Sequence, residues 1–299
     1  MEKVMRVLIL GGSGMLGHKL WQTFTDRFDT YVTFRQSPSA YARYGIFDGA
    51  RTLGHVSSVD LDSLMRVFGE VRPEVVINCI GIVKQDAAAT NHVASINVNA
   101  LFPHRLAALS RAAGARLIHL GTDCVFSGRK GNYVETDAPD AEDLYGRTKL
   151  LGEVDYENCL TIRTSMIGRE LSSAHGLIEW FLSQQGKTVR GYRQAIFSGF
   201  TTLALSEIIA SIITDHPQLR GVWHVASEPI NKFDLLTLVK EAAKLDIRIE
   251  PDETFVCDRS LNDTRFHQAT GFAPPSWSDM ILRLFQDSTP YTEFRRSSC

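Results

Sequence analysis

Two short stretches of this sequence hold residue types and spacings that can do chemistry. Residues 11–17 read Gly-Gly-Ser-Gly-Met-Leu-Gly, which satisfies G-x-G-x-x-G through Gly12, Gly14 and Gly17 and G-x-x-G-x-x-G through Gly11, Gly14 and Gly17. Such a stretch suits a dinucleotide pyrophosphate. It turns tightly, lets backbone N–H groups approach the anion with no side chain between, and opens a helix whose positive end faces the charge. Gly11, Ser13, Gly14, Met15, Leu16 and Gly17 are the candidates for that contact. The second stretch is Tyr145-Gly-Arg-Thr-Lys149, which at helical spacing puts a phenol and an ammonium on one face. A neighbouring ammonium favours the phenolate, lowering a tyrosine pKa from about 10 toward working pH and making a general acid and base. Upstream, a strand pattern runs into Gly121-Thr122-Asp123-Cys124-Val125-Phe126, offering the Thr122 hydroxyl as a hydrogen-bond partner for a reacting oxygen.

The elements that must position these groups follow from periodicity. Apolar, β-branched runs at 4–10, 30–34, 75–80, 116–120 and 160–163 read as strands, with amphipathic helical patterns at 15–28, 61–68, 93–113 and 145–156 between them. Alternation of this kind predicts an α/β fold, a Rossmann-like doubly wound parallel sheet whose ligands sit at the carboxyl edge of the strands. The second strand ends Thr33-Phe34-Arg35, without the carboxylate that would accept from an NAD ribose. Arg35 therefore points to NADP, with NAD open and a solvated arginine the alternative. Beyond residue 167 the pattern changes to helix-like 177–182, a Gly/Arg stretch at 186–193, helix-like 203–213, a further strand at 221–226 and a helix at 233–243. The expected organisation is a nucleotide-binding domain over 1–165 with a returning strand near 221–230, and a smaller, discontinuous substrate-binding lobe over 166–299.

Composition removes several classes. The 299 residues are 44% hydrophobic and 22% charged, as in an ordinary globular chain, and no apolar run approaches the eighteen or so residues of a membrane span. A net charge of −2 from 32 basic and 34 acidic residues, without a basic run, gives no reason to expect nucleic acid as a partner. Five cysteines at 79, 124, 159, 257 and 299 show no C-x-x-C pair, and the nine histidines include no H-E-x-x-H, so no metal site is expected. The thiols and the lack of a secretory h-region make the cytoplasm the expected location.

The succession GGSGMLG, VVINCIG, INVNALFPHRLA, GTDCVFSG, GNYVETD, LYGRTKLLGE and LTIRTS resembles the extended short-chain dehydrogenases/reductases, in particular the subgroup that includes dTDP-4-dehydrorhamnose reductase. It covers residues 4 to 170 with specific motifs and the remainder loosely. The resemblance implies NADPH-dependent reduction of a 4-keto-6-deoxy nucleotide sugar. Tyr145 would be the proton donor, Lys149 would hold the nicotinamide ribose, and Thr122 would complete the catalytic set. Asn78 and Asn97 match the family's fourth-strand and following-helix motifs, with Gly81 and Ile82 lining the nicotinamide side. An adenine contact falls at Ser57, Ser58 or, with a small gap, Asp60. Lys84, Asp123, Cys124, Val125, His175 and Arg259 are candidate substrate contacts, with Arg163, Arg190 and Arg193 as further guanidiniums suited to a diphosphate. Two alternatives stay open. Cys124 and His175 match the pair that epimerises GDP-sugars in related epimerase-reductases, and a regulatory subunit of methionine adenosyltransferase shares the resemblance without catalysis. A homodimer is common in the family.

Overall fold

The computed structural model describes residues 4–47, 49–84 and 87–296. Seven parallel strands form one sheet: β1 (Arg6–Leu10), β2 (Asp29–Thr33), β3 (Thr52–Leu53), β4 (Val75–Asn78), β5 (Arg116–Leu120), β6 (Cys159–Arg163) and, returning from late in the chain, an edge strand Gly221–His224 beside β6. The spatial order places β1 next to β4, the reversal point where doubly wound sheets bind ligands. Register aligns the carboxyl ends. Leu10 pairs with Asn78 and Asn78 with His119, so the segments after β1, β4 and β5 leave the sheet side by side.

Alternation along each buried strand divides two cores. Val7 and Ile9 face one layer with Ile77 and Ile118, while Leu8 and Leu10 face the other with Val76 and Leu117. The first layer is covered by α1 (Gly17–Phe24), and the second by α2 (Leu61–Val71). The helix expected over 93–113 is three pieces: α3 (His92–Ser95), a π-helical turn Ile96–Leu101, and α4 (Phe102–Ala112). Pro103 has no N–H to give to the carbonyl of Asn99 four residues earlier, so the regular ladder cannot run through this point. The helix expected over 145–156 is α5 (Leu144–Leu151), capped by Asp143, whose carboxylate accepts from Gly146 N at 2.7 Å.

The rest of the chain builds short sheets and further helices, one of which packs beside α1 on the main sheet. β7 (Met166–Ile167), α6 (Leu177–Leu182), β8 (Thr188–Tyr192), β9 (Ala195–Phe197), β10 (Phe200–Thr201) and α7 (Thr202–Thr214) precede the returning strand, β11. After it come β12 (Ile230–Asn231), α8 (Lys232–Ala243), β13 (Arg248–Asp252), β14 (Cys257–Asp258), α9 (Thr264–Thr270), α10 (Trp277–Gln286) and α11 (Tyr291–Arg296). β12, β9 and β14 form one small sheet, and β13 pairs with β8. The segment after β14 is stapled to the loop that follows β5: Asp258 N donates to Gly128 O at 2.7 Å and Tyr133 N to Ser260 O at 2.9 Å. No helix among the described residues is long and apolar enough to cross a membrane. Four cysteines, Cys79, Cys124, Cys159 and Cys257, are free, and Cys299 lies outside the described residues.

Candidate active site

The glycine turn leaves β1 at Gly11, whose φ of +86° is a left-handed conformation that only glycine adopts without strain. It is held to the end of β2, where Gly12 N donates to Thr33 O at 2.9 Å and Gly11 N to Thr33 Oγ1 at 3.3 Å. A Cβ on Gly17 would stand 2.2 Å from Gly11 O, so the turn folds directly onto the start of α1. Gly14 is exposed, and among the described residues beyond its chain neighbours Gly11 O, at 3.3 Å, alone comes within 4 Å of where its Cβ would stand. The outer side is thus a bare backbone cradle, which fits a pyrophosphate. Ser13 and Met15 rim it half-buried, whereas the Leu16 side chain anchors in the core. Arg35 is exposed just past β2, and no ion pair engages it among the described residues. Asp60 instead caps α2, its Oδ1 accepting from Asp62 N and Ser63 N at 3.0 and 3.3 Å, while Ser57 bonds Ser63.

Two close approaches set the position of α5. A Cβ on Gly146 would come 2.3 Å from Cys124 O, and one on Gly152 1.8 Å from Asn99 O. The helix is therefore wedged between the segment after β5 and the π turn. Its Tyr145 lies toward Thr122, whose hydroxyl draws the phenol pKa down. Burial outweighs this, together with the charge of Cys124, and raises Tyr145 above its ordinary value. The expected depression by Lys149 is therefore corrected. Lys149 is buried and gives its ammonium to Leu120 O at 2.6 Å, and burial lowers its own pKa to about 8.

Asparagines hold the segment that leaves the sheet after β4. Asn78 Oδ1 accepts from Ile80 N at 3.0 Å and its amide lies 3.1 Å from His119 Nδ1. His119 is buried, its pKa pushed well below the usual histidine value by desolvation. Gly81 and Ile82 are held by a residue that sequence reading passed over. Asn99 accepts from Ile82 N at 2.9 Å and donates to Ile82 O at 3.0 Å, whereas Asn97 is only half-buried on the same π turn. The signal was present in the motif itself, since both asparagines lie in the succession INVNALF.

Beside Thr122 lie Asp123 and Cys124. Burial raises both, the thiol to about 12, and the Thr122 hydroxyl donates to Asp123 Oδ1 at 3.2 Å. Arg259 reaches this region, its Nε donating to Phe126 O at 2.8 Å. Lys232, which sequence reading did not single out, stands 4.0 Å over the Phe197 ring. Burial draws its pKa to about 8 against the opposing charge of Asp123. Three expectations change here. Val125 is 0% exposed and packs with Phe126, Tyr133, Ala226 and Leu261, so its side chain is core and not a ligand contact. Lys84 is exposed and paired at 2.7 Å with Asp143, the cap of α5. Arg163 is locked in a buried pair with Glu153 at 2.7 and 2.8 Å, which removes it from the set that could hold a phosphate. Arg190 and Arg193 pair with Asp252 and Glu253 at the surface. His175 is exposed on the loop before α6 and makes no hydrogen bond to Cys124.

Residues 5–289 match the family described as the RmlD substrate binding domain. The chain belongs to this family. It is 26% identical over 80% of its length to methionine adenosyltransferase 2 subunit beta from Danio rerio, covering 74% of that protein. It is 34% identical over 50% of its length to a dTDP-4-dehydrorhamnose reductase from Streptomyces griseus, covering 43% of that protein. Matches to the rat, mouse and cattle counterparts of the former span only 41% of those proteins. The fold superposes with a TM-score of 0.77 and 21% identity on a dTDP-4-dehydrorhamnose reductase from Bacillus anthracis solved with NADP, over 95% of this chain and 99% of that one.

Proposed function

We propose that this protein is an NADPH-dependent reductase of a 4-keto-6-deoxy nucleotide sugar, acting in the synthesis of activated sugars for surface polysaccharides. The observation that carries this reading is the convergence of Thr122, Tyr145 and Lys149 on the sheet edge that also bears the open cradle at Gly14. Bound NADPH would supply a hydride to the sugar carbonyl carbon. Tyr145 gives its proton to the carbonyl oxygen, and burial keeps the phenol in the protonated state a donor needs. Thr122 Oγ1 orients that oxygen, and the Lys149 ammonium holds ribose hydroxyls. Arg35 takes the 2′-phosphate. Residues 166–296, less the returning strand, α7 beside α1 and α11 against His18, form the substrate lobe, with Asp123, Cys124, Arg259 and Lys232 on the sugar side.

The test is NADPH oxidation with dTDP-4-dehydrorhamnose and a panel of related keto sugars, beside Tyr145→Phe. Loss of a general acid predicts a fall of about 10²- to 10⁴-fold in kcat with NADPH affinity intact. A wild-type protein that turns over none of the panel favours a second reading, a regulatory subunit, for which the similarity to methionine adenosyltransferase 2 subunit beta speaks. Epimerisation through Cys124 draws less support, because a thiol at about 12 is a poor base at neutral pH.

The cytoplasm suits four free thiols. Exposed Val93, Ile96 and Leu101 near α3 and α4, with Leu151 at the end of α5, are the face through which two copies would pair. Sedimentation of Leu151→Glu against the wild type tests this, since an unchanged mass would remove the face.

A further inference from the structure

We infer that Tyr291, in the last helix of the chain, aims the pyrophosphate turn through His18. The inference rests on the dinucleotide reading of the glycine turn and adds to it a residue 273 positions beyond His18.

His18 lies in the first turn of α1 and is 0% exposed. Its Nδ1 stands 2.8 Å from Gly14 O and its Nε2 2.9 Å from the Tyr291 hydroxyl. Proton bookkeeping orders these contacts. A carbonyl oxygen only accepts, so Nδ1 carries the hydrogen. Burial lowers the histidine to about 4, so the ring is neutral at working pH and Nε2 is a bare acceptor. Tyr291 must then donate to Nε2. Its single proton is committed there, although Asp287 Oδ2 lies 3.3 Å from the same oxygen. That carboxylate is served by Lys19 through Oδ2 and by Thr289 N and Oγ1, which reach Oδ1 at 3.0 and 2.8 Å. A one-way relay results, from the Tyr291 O–H to Nε2 and from Nδ1–H to Gly14 O.

The relay acts on the turn through peptide geometry. Gly14 O receives a second bond from His18 N at 3.2 Å, so its carbonyl is pinned toward the helix. In a trans peptide the N–H of the next residue points opposite to the carbonyl. Pinning Gly14 O inward therefore turns Met15 N–H outward, to the open side where an anion would lie. Tyr291 is itself fixed. It is 2% exposed, in edge contact with the His18 ring at 5.6 Å, beneath the Arg169 guanidinium at 4.8 Å, and packed with Tyr44, Leu171 and Phe294. Tyr291 is a positioning residue, touching neither cofactor nor substrate.

Tyr291→Phe keeps the ring and removes the donor. NADPH affinity, read by fluorescence titration, should weaken about three- to tenfold, the value of one hydrogen bond, with kcat at saturating NADPH unchanged. The double variant His18→Ala/Tyr291→Phe should bind no worse than His18→Ala alone, because both act through one chain of bonds. Wild-type affinity in Tyr291→Phe, or additive losses in the double variant, overturns the relay. Histidine ¹⁵N spectra of the cofactor-free protein decide the matter independently of the functional reading. The Nδ1–H tautomer of His18 should persist in Tyr291→Phe, because Gly14 O still requires it, while the bare Nε2 resonance moves downfield on losing the hydrogen bond it accepts; an Nε2 resonance that does not move refutes the inference.

Discussion

Replacing Gly146 by alanine adds one methyl group at the point where the proposed catalytic helix meets the strand edge. That methyl would stand 2.3 Å from Cys124 O and 2.6 Å from Ala141 Cβ, where ordinary contact begins near 3.4 Å. Cys124 O belongs to the backbone directly after Thr122, so relief requires helix and strand edge to part by about 1 Å. Two opposing effects act on stability. Alanine gains about 1 kcal/mol over glycine in a helix, while overpacking costs about 1–3 kcal/mol, leaving a net loss of at most about 2 kcal/mol and a folded protein. Activity is more sensitive, since Tyr145 is the neighbouring residue and a displacement near 1 Å costs about 10²-fold. The glycine turn lies on a different strand while Lys149 rides on the displaced helix, so NADPH affinity should weaken far less than kcat/KM. Urea unfolding, NADPH titration and kcat/KM measured together check each part. A Gly146→Ala variant with kcat/KM within twofold of wild type would mean that Tyr145 is not positioned by this contact.

Glu153→Gln leaves the buried Arg163 without its partner, and should cost about 3–5 kcal/mol in urea unfolding while the KM for nucleotide sugar stays put. A raised KM with unchanged stability would return Arg163 to the phosphate site. Lys84→Ala removes a pair that is half open to solvent, and should change stability by less than about 1 kcal/mol; a loss of several kcal/mol would show that the pair, and not the Asp143 cap alone, holds α5. Lys149 has a folded pKa near 8 against an unfolded value of 10.5, so between those values the unfolded chain binds more protons and stability contributed at this site rises with pH. Wild type should accordingly gain on Lys149→Met from pH 8 to 10.5, by roughly 3 kcal/mol at most. A flat difference would refute the burial of that charge.

The parallel sheet was legible because its strands are short, apolar on both faces and separated by amphipathic runs. The glycine turn and the Tyr145–Lys149 pair were legible because their chemistry depends on local spacing. Tertiary chemistry was not. β3 is two residues long and carries no pattern. Asn97 and Asn99 look alike in sequence, and only the π turn decides that Asn99 reaches Ile82. Arg163 and Lys84 look like free cations until Glu153 and Asp143 are found beside them. Lys232 has the opposite history, an ordinary helix-start lysine by sequence that the pairing of β12 with β9 carries over Phe197.

Burial also settles the electrostatics of the edge in a way net charge does not suggest. It pushes Tyr145, Cys124 and Asp123 upward, and His18 and His119 downward, so each of these groups moves toward its neutral form. Lys149 and Lys232 are lowered as well, but only to about 8, and keep most of their charge at neutral pH. Arg259 and the exposed Arg35 add two further cations to the edge. A chain of net charge −2 can thus offer a locally positive site to a dinucleotide and a nucleotide sugar, and favour negative charge developing on an oxygen between Thr122 and Tyr145.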